Sequence, residues 1–125
     1  MADTELKFWT THPNVFLVAT SVSSGKVLGN ISYRQLNSTT VEMHRLAVNS
    51  DFRGLGVGRK LVQKLLDTAK ENGYETMYLT TSTPSFSAIK LYEKMGFKFL
   101  RYNDFEASFL GKFTGLKILA YTQRL

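Results

Sequence analysis

Residues 48–73, VNSDFRGLGVGRKLVQKLLDTAKENG, contain the three elements on which the rest of the chain depends. The stretch begins at the end of an apolar run, Met43–Val48, that is typical of a strand. A turn follows, and then the glycine-rich segment Arg53–Gly58. Apolar residues at helical spacing predict an amphipathic helix over Val57–Asn72, and the Asn72-Gly73 pair is typical of a helix end. The order is therefore strand, glycine loop and helix.

This order predicts a site for an anion at the start of the helix. The first N–H groups of a helix have no partner within it, and the helix dipole adds partial positive charge there. Glycine allows positive φ and a close approach of the backbone to a ligand. A P-loop is excluded because Lys60 is followed by Leu61, and the dinucleotide fingerprint is excluded because position 59 is arginine. A six-residue pattern alone leaves a glycine-rich surface turn open.

Composition narrows the classes of protein. The chain has 125 residues, enough for one domain with a core, and we interpret residues 1–125 as a single domain. It has no cysteine, which excludes disulfides and a cysteine nucleophile, and its two histidines are too few for a metal cluster. No apolar run reaches the roughly 20 residues that span a bilayer, and no signal peptide is visible. The net charge of +6 favours nucleic acid or a polyanionic cofactor, and the glycine loop favours the cofactor.

The remaining elements follow from periodicity and turn residues. Residues 1–13 are interpreted as a helix end or an irregular arm. Strands are predicted over residues 14–22, 27–36, 41–48, 75–81, 97–105 and 115–125, and a second helix over 84–95 with Thr83 as its N-cap. Gly29 inside a strand predicts a bulge or a close backbone approach. The order predicts a mixed α/β fold with a mostly antiparallel sheet, a parallel β-α-β crossover and helices on both faces.

A second motif lies in the predicted second helix. Residues 85–98 read SFSAIKLYEKMGFK. Together with the loop residues Arg53, Gly56 and Gly58, this stretch resembles the two signatures of the GNAT superfamily of N-acetyltransferases. The stretches 43–62 and 74–82 resemble the camello-like members. The family's asparagine at the head of the second motif is Ser85 here, and its first strand and helix have little room before Asn14. The chain is therefore interpreted as a form shortened at its N-terminus, by nature or by design. The camello-like members carry a hydrophobic membrane segment upstream, and this segment is absent here. This chain is therefore expected to be soluble and intracellular, and a longer camello-like form is expected to be membrane-associated.

The resemblance implies a GNAT-like fold, splayed at a cofactor cleft, and acetyl-CoA as co-substrate, with no metal. The pyrophosphate would bind backbone N–H groups of the loop, and the pantetheine arm would pair with the edge of strand 41–48. The implied cofactor-binding residues are Leu46, Ala47, Val48, Arg53, Gly54, Leu55, Gly56, Val57, Gly58, Arg59, Lys60, Ser85 and Ser87.

The resemblance also implies direct transfer of acetyl to a primary amine in a ternary complex, which needs a base and an acid. Tyr92 resembles the family's general acid, which protonates the departing thiolate; a core tyrosine is the alternative. Glu42 occupies the position of the glutamate base in the histone-acetylating branch, although a strand glutamate is often only a face residue. His44 lies two residues on, on the same face, and could share or replace that role, directly or through water. Arg45 is expected to point the other way.

Two other functions remain open at this point. One is a module that binds RNA or another polyanion, although the basic residues are spread along the chain. The other is an acetyl-CoA binder without turnover. As an enzyme, the chain is expected to have acetyl-CoA and an amine as partners and no nucleic acid, with a homodimer left open. Protein lysine, an N-terminus, an amino-acid conjugate and a polyamine are all compatible acceptors.

Overall fold

The computed structural model describes residues 3–11, 13–82, 86–102 and 118–125. The helices of these residues are α1 (Val57–Glu71), α2 (Phe86–Lys94) and a short 3-10 helix, Ser50–Phe52. Neither α1 nor α2 is long and apolar enough to cross a membrane. The strands are β1 (Thr4–Thr11), β2 (Asn14–Ser21), β3 (Val27–Gln35), β4 (Thr40–Val48), β5 (Thr76–Ser82), β6 (Lys98–Tyr102) and β7 (Ile118–Arg124).

The chain divides into two compact units, Met1–Met77 with Leu125 and Tyr78–Arg124. The first unit contains an antiparallel meander in the order β1-β2-β3-β4. Its registers include Leu17 opposite Ile31 and Arg34 opposite Glu42. Short turns connect the strands, as the hairpin pattern of the sequence predicts.

Strand β1 corrects the interpretation of residues 1–13 as a helix end or an irregular arm. Thr4–Thr11 pair with Asn14–Ser21 along the whole length of both strands. The apolar residues Leu6 and Phe8 alternate with the charged residues Glu5 and Lys7, which is the period of a strand and not of a helix. The order therefore has one more strand than the sequence analysis predicts.

Helix α1 covers one face of this meander and confirms the predicted amphipathic helix. Its inward side chains, Leu61, Val62 and Leu65, have no solvent exposure. It contacts β2, β3 and β4, and the amide of Asn72 at its C-cap donates a 2.8 Å hydrogen bond to the Tyr33 hydroxyl. Tyr33 therefore faces α1, and the next residue of β3, Arg34, faces the opposite side.

Gly29 lies where β3, β4 and α1 meet. A Cβ atom there would lie 2.6 Å from the backbone oxygen of Ala47 and 3.1 Å from Leu61 Cδ1. The β2–β3 register also shifts between Ala19 and Thr20, next to this glycine. Both the bulge and the close approach predicted for Gly29 are present.

The second unit contains most of β5, then α2, β6 and β7, with the strand order β5-β7-β6. Strands β6 and β7 are antiparallel. Tyr92 of α2 packs edge-on against Phe97, with ring centroids 5.9 Å apart. Helix α2 lies within the predicted range, whereas the predicted N-cap Thr83, Pro84 and residues 103–117 lie outside the described residues.

The start of β5 lies beside the start of β4. The backbone N–H groups of Glu75 and Thr76 donate to the carbonyl of Thr39, at 2.8 and 3.1 Å. The α/β class with a mostly antiparallel sheet is confirmed.

Candidate functional site

The glycine loop follows β4 directly and is built by local hydrogen bonds. The side chain of Asn49 caps the 3-10 helix by accepting from the N–H of Asp51 at 3.0 Å. The chain then extends at Arg53, whose φ is −68° and ψ 149°. Gly54 and Gly56 both have φ near 80°, which a side chain disfavours, so the glycines are required by the backbone itself.

Helix α1 begins at this loop without a side-chain cap. Gly56 is its N-cap and has no side chain to accept from the first N–H groups. Val57 is 1% exposed and anchors the first turn in the core, while Leu55 is 48% exposed. A Cβ at Gly54 or Gly56 would meet no atom within 4 Å. The local geometry can present uncapped N–H groups to an anion, as the sequence predicts.

The loop's basic residues differ in their surroundings. Arg53 and Arg59 are exposed, whereas Gly58 and Lys60 are half-buried. The Lys60 N–H donates to Gly56 O at 3.1 Å, which is the first hydrogen bond of α1. The two exposed guanidiniums are therefore the cations of the loop that are most open to solvent and to an anionic ligand.

The proposed pantetheine edge, Leu46–Val48, forms the last part of β4. Ala47 is exposed, and Leu46 and Val48 are half-buried. Ala47 pairs with Asn30 and Val48 with Gly29, so one side of this segment belongs to the ladder with β3. A cavity of about 370 Å³ adjoins it, lined by Val27, Leu28, Gly29, Asn30, Ala47, Val48 and Asn49.

Glu42 and His44 lie together on one face of β4, which confirms the predicted shared face. His44 Nε2 lies 2.7 Å from Glu42 Oε1, although its N–H is not aligned on that oxygen. Glu42 Oε1 also accepts from Arg34, whose Nε and terminal nitrogen are each 3.0 Å away. Glu42 is 8% exposed, so this carboxylate is a buried charge held by two nitrogen-bearing side chains.

Alternation along β4 stops just after His44. Asn30 pairs with Ala47 but Ser32 pairs with His44, so β4 has one extra residue between these pairs. Arg45 lies in this bulge and is the one non-glycine with positive φ, 58°, in the described part of the chain. Arg45 and His44 both line a second cavity, different from the one beside Leu46–Val48. The expectation that Arg45 points away from His44 assumed regular alternation along β4, and the bulge interrupts that alternation.

That cavity lies entirely within the first unit and has a volume of about 330 Å³. This is near the lower end of the range for small-molecule pockets, about 300–1,000 Å³. Its lining consists of Asn14, Val15, Phe16, Ser32, Tyr33, Arg34, His44 and Arg45.

The second unit holds the other predicted residues. Tyr92 is 7% exposed, and burial raises the pKa of its hydroxyl. Ser87 is exposed near the start of α2, and Ser85 lies outside the described residues. Because burial raises its pKa, the Tyr92 hydroxyl is a neutral phenol at ordinary pH.

Among the described residues, no group of three or more His, Cys, Asp or Glu side chains could hold a metal ion. What the first unit does hold is a glycine loop shaped for an anion and, on the same strand, a carboxylate–imidazole pair beside a cavity. These features are compatible with a class of protein that binds a phosphorylated ligand and moves protons.

Comparison with known proteins identifies the family. The model of the acetyltransferase (GNAT) family matches residues 1–97, so the chain belongs to this family.

The chain is 36% identical over 99 residues to an N-acetylaspartate synthetase from Xenopus tropicalis, covering 78% of this chain and 36% of that protein. It is 32% identical over 100 residues to a "Probable N-acetyltransferase camello" from the same organism, covering 78% and 45%. The chain thus spans about a third of the length of the first relative and under half of the second. These similarities include the camello-like subgroup that the motifs indicate.

A crystal structure of a GNAT family acetyltransferase from Elizabethkingia anophelis, with acetyl-CoA bound, shares the fold. Its TM-score is 0.83, at 17% identity and with all of both chains covered.

Sequence reasoning missed two residues of this site. Arg34 is found only through the β3–β4 register, which sets it opposite Glu42. The sequence contains one signal for this contact, because a short connection, residues 36–39, restricts which residues of β3 and β4 can pair. Arg45 gives no such signal, since arginine is not a residue type that indicates positive φ.

Proposed function

We propose that the chain transfers an acetyl group from acetyl-CoA to a primary amine. The observation that carries the proposal is the loop at the start of α1, with two positive-φ glycines and an uncapped helix N-terminus, in a chain of the acetyltransferase family. The structure from Elizabethkingia anophelis, which has the same fold, contains acetyl-CoA, and this supports the co-substrate. The reaction forms an N–C bond at the thioester carbonyl and breaks its C–S bond.

Cofactor binding is assigned to the loop and the end of β4. The N–H groups of Gly54–Lys60 would bind the pyrophosphate, with Arg53 and Arg59 adding charge. Backbone groups of Leu46, Ala47 and Val48 would pair with the amides of the pantetheine arm, as an added strand does. Ser87 of α2 and Ser85, two positions earlier in the sequence, are also proposed to contact the cofactor. An N–H at the β4 edge would also stabilise negative charge on the thioester oxygen.

The base is assigned to the Glu42–His44 pair. The acceptor amine is an ammonium near neutral pH and must lose a proton before it attacks. His44 lines the cavity and can take this proton, and the Glu42 carboxylate beside Nε2 stabilises the imidazolium that forms. Arg34 holds the carboxylate in place through its two contacts to Oε1.

The acid is assigned to Tyr92. Its burial raises the pKa of the hydroxyl, so the phenol keeps its proton at neutral pH and can give it to the departing thiolate. Acid help at a thiolate is worth less than at an alkoxide, because the thiol is already acidic.

Acetyl-CoA titration tests the loop. Gly56→Ala adds a Cβ where a phosphate would approach, and we expect the Kd for acetyl-CoA to rise about tenfold or more, from loss of a charge-assisted hydrogen bond. Gly25→Ala is the matched control, because Gly25 has φ 73° and equally open surroundings in the β2–β3 turn, outside the glycine loop. Both variants place a side chain at positive φ, and only Gly56→Ala should weaken binding in calorimetry.

Turnover is then measured as free thiol with a panel of amines. Unchanged affinity in a folded Gly56→Ala protein would contradict the loop assignment. Tight acetyl-CoA binding with no thiol release from any amine would instead indicate a binder without turnover.

A further inference from the structure

Strand β1 is the outer strand of the first unit's meander. It pairs with β2 on one side, and on its other side no described strand pairs with it. The backbone N–H and C=O groups of such an edge are a template for a strand of another chain. We propose that this edge is a homodimer interface, at which β1 pairs antiparallel with β1 of a second copy and Glu5 of each copy lies opposite Lys7 of the other. The proposal does not depend on acetyl transfer, because it concerns association and not turnover.

Strand β1 lacks the features that usually keep an edge strand from pairing with other chains. Those features include proline, a bulge and short length. Strand β1 has eight residues, contains no proline and pairs with β2 without a shift in register. The outer strand of the second unit, β6, has only five residues, and its register with β7 shifts between Phe99 and Arg101. Of these two outer strands, β1 is therefore the one suited to accept another strand.

The hydrogen bonds to β2 show which backbone groups of β1 face outward. The Val22 N–H donates to the Asp3 carbonyl at 2.7 Å, so the backbone groups of Asp3 point toward β2. This direction alternates along a strand, so the other odd-numbered residues of β1 also point their backbone groups toward β2. The N–H and C=O groups of the even-numbered residues Thr4, Leu6 and Phe8 therefore point outward. A second β1 can bond to them only in registers that set even-numbered residues opposite even-numbered residues.

Charge selects one of these registers. Glu5 and Lys7 are both exposed, and their partners on β2 are the neutral residues Thr20 and Val18. If Leu6 lies opposite Leu6 of the second copy, Glu5 lies opposite Lys7 on both sides of the two-fold axis. A shift of the second strand by two residues sets Glu5 opposite Glu5, or Lys7 opposite Lys7 in the other direction. Opposite charges stabilise a cross-strand pair and like charges destabilise it, so the register centred on Leu6 is favoured.

The same register brings apolar side chains together on the face toward α1. Phe8 lies opposite Leu17, which has no exposure on that face. Phe8 itself is 42% exposed, with Lys64 Nζ 5.4 Å from its ring centroid, and Leu6 is half-buried. In the dimer, Phe8 of one copy is the diagonal neighbour of Leu6 of the other, a distance that an aromatic side chain spans. Both copies use the same surface, so the association closes at two chains.

Charge reversal tests the interface in the 125-residue chain. We expect sedimentation velocity to show a dimer at about 100 µM of the wild-type chain, as for an interface of small area. Glu5→Lys sets like charges opposite each other, and so does Lys7→Glu. Either variant alone should raise the Kd of the dimer about 10- to 100-fold. An equimolar mixture of the two variants restores both pairs of opposite charge, so it should form heterodimers with a Kd near the wild-type value.

Glu71→Lys and Lys26→Glu are the matched controls, because they make the same changes of charge at exposed positions outside β1. Both should leave the Kd of the dimer as it is, and circular dichroism shows whether each variant is folded. A wild-type chain that is monomeric at this concentration would overturn the proposal. So would a dimer that Glu5→Lys and Lys7→Glu weaken no more than the controls do.

Cross-linking tests the register, since the chain has no cysteine of its own. In the proposed register, residues 5 and 7 face each other with Cα atoms about 4.5 Å apart, within the range of a disulfide. A mixture of Glu5→Cys and Lys7→Cys should therefore form a disulfide-linked dimer on oxidation, and it keeps one Glu5–Lys7 pair. Either variant alone should cross-link far less, because its two cysteines are diagonal neighbours about 7–8 Å apart. Equal cross-linking in the mixture and in the separate variants would overturn the proposed pairing.

Discussion

The two faces of the β1–β4 meander show how one set of strands carries both stability and chemistry. The face toward α1 contains Leu17, Ile31 and Tyr33, all at most 1% exposed. The opposite face contains Arg34, Glu42 and His44, a network of charge and imidazole beside a cavity. Neighbouring residues of β3, Tyr33 and Arg34, belong to different faces. Mutations on the two faces should therefore separate stability from activity.

The largest expected effect is on the α1 face. Leu65→Ala removes a side chain with no exposure, and we expect a loss of about 2–5 kcal/mol in the free energy of unfolding. Leu36→Ala, at a site 44% exposed, should change it by less than about 0.5 kcal/mol. Urea denaturation measures both. Similar losses in the two variants would show that the α1 face is not the source of stability.

On the opposite face the effect should be on rate. Glu42→Gln keeps the size of the side chain and removes its basicity, so we expect kcat to fall about 100-fold near neutral pH and to recover partly at high pH, where the amine loses its own proton. Its effect on stability should stay near 1 kcal/mol or less, because Arg34 is 60% exposed and screened by solvent.

Arg34→Gln is the partner control, since it keeps the carboxylate and should lower kcat far less. A wild-type pH–rate profile in Glu42→Gln would shift the role of base to His44 alone or to water.

Tyr92 sharpens the comparison because it is buried like the α1 face but assigned to catalysis. Tyr92→Phe should lower kcat about 10- to 100-fold with little change in stability or in acetyl-CoA affinity. Tyr33→Phe is its counterpart: it removes the Asn72 hydrogen bond and should cost about 1 kcal/mol of stability. Lost stability with normal kcat in Tyr92→Phe would make Tyr92 a packing residue.

The smallest effect concerns alkaline pH. Burial raises the pKa of both Tyr33 and Tyr92 above the ordinary value of 10.0. Below about pH 10 both phenols are protonated in the folded and in the unfolded chain, so their contribution to the free energy of unfolding is fully present. Above it the unfolded phenols ionise first, and stability is lost as pH rises through the folded pKa values. The double Phe variant should show a flatter loss of unfolding free energy between about pH 9 and 11.

The sequence predicts the parts of this molecule that repeat a local pattern. Helix α1 is predicted almost to the residue, because its apolar side chains recur at helical spacing. The glycine loop is predicted because backbone positions with positive φ favour glycine. The shared face of Glu42 and His44 follows from strand alternation. Strand β1 was wrongly interpreted because charged residues at a chain end resemble an arm until their pairing with β2 is known.

The rest depends on contacts between strands. The Arg34–Glu42 contact depends on the register between β3 and β4, and the bulge at Arg45 depends on a shift in that register. The residues of a single strand do not determine either of them. The roles of Tyr92, of the pair Glu42–His44 and of the cofactor residues stay predictions until the variants are measured.

Gly29 gives the molecule an unusual form of sensitivity. Any side chain there would press on the carbonyl of Ala47, which belongs to the segment assigned to the cofactor, and on Leu61 of the helix that starts at the glycine loop. In a mutational scan, this residue would therefore score as functional although it is buried and has no side chain to react. In a directed-evolution experiment, a larger or smaller side chain at position 61 would shift the position of the same segment of β4. Selection for cofactor affinity would therefore enrich substitutions in the core as well as at the site.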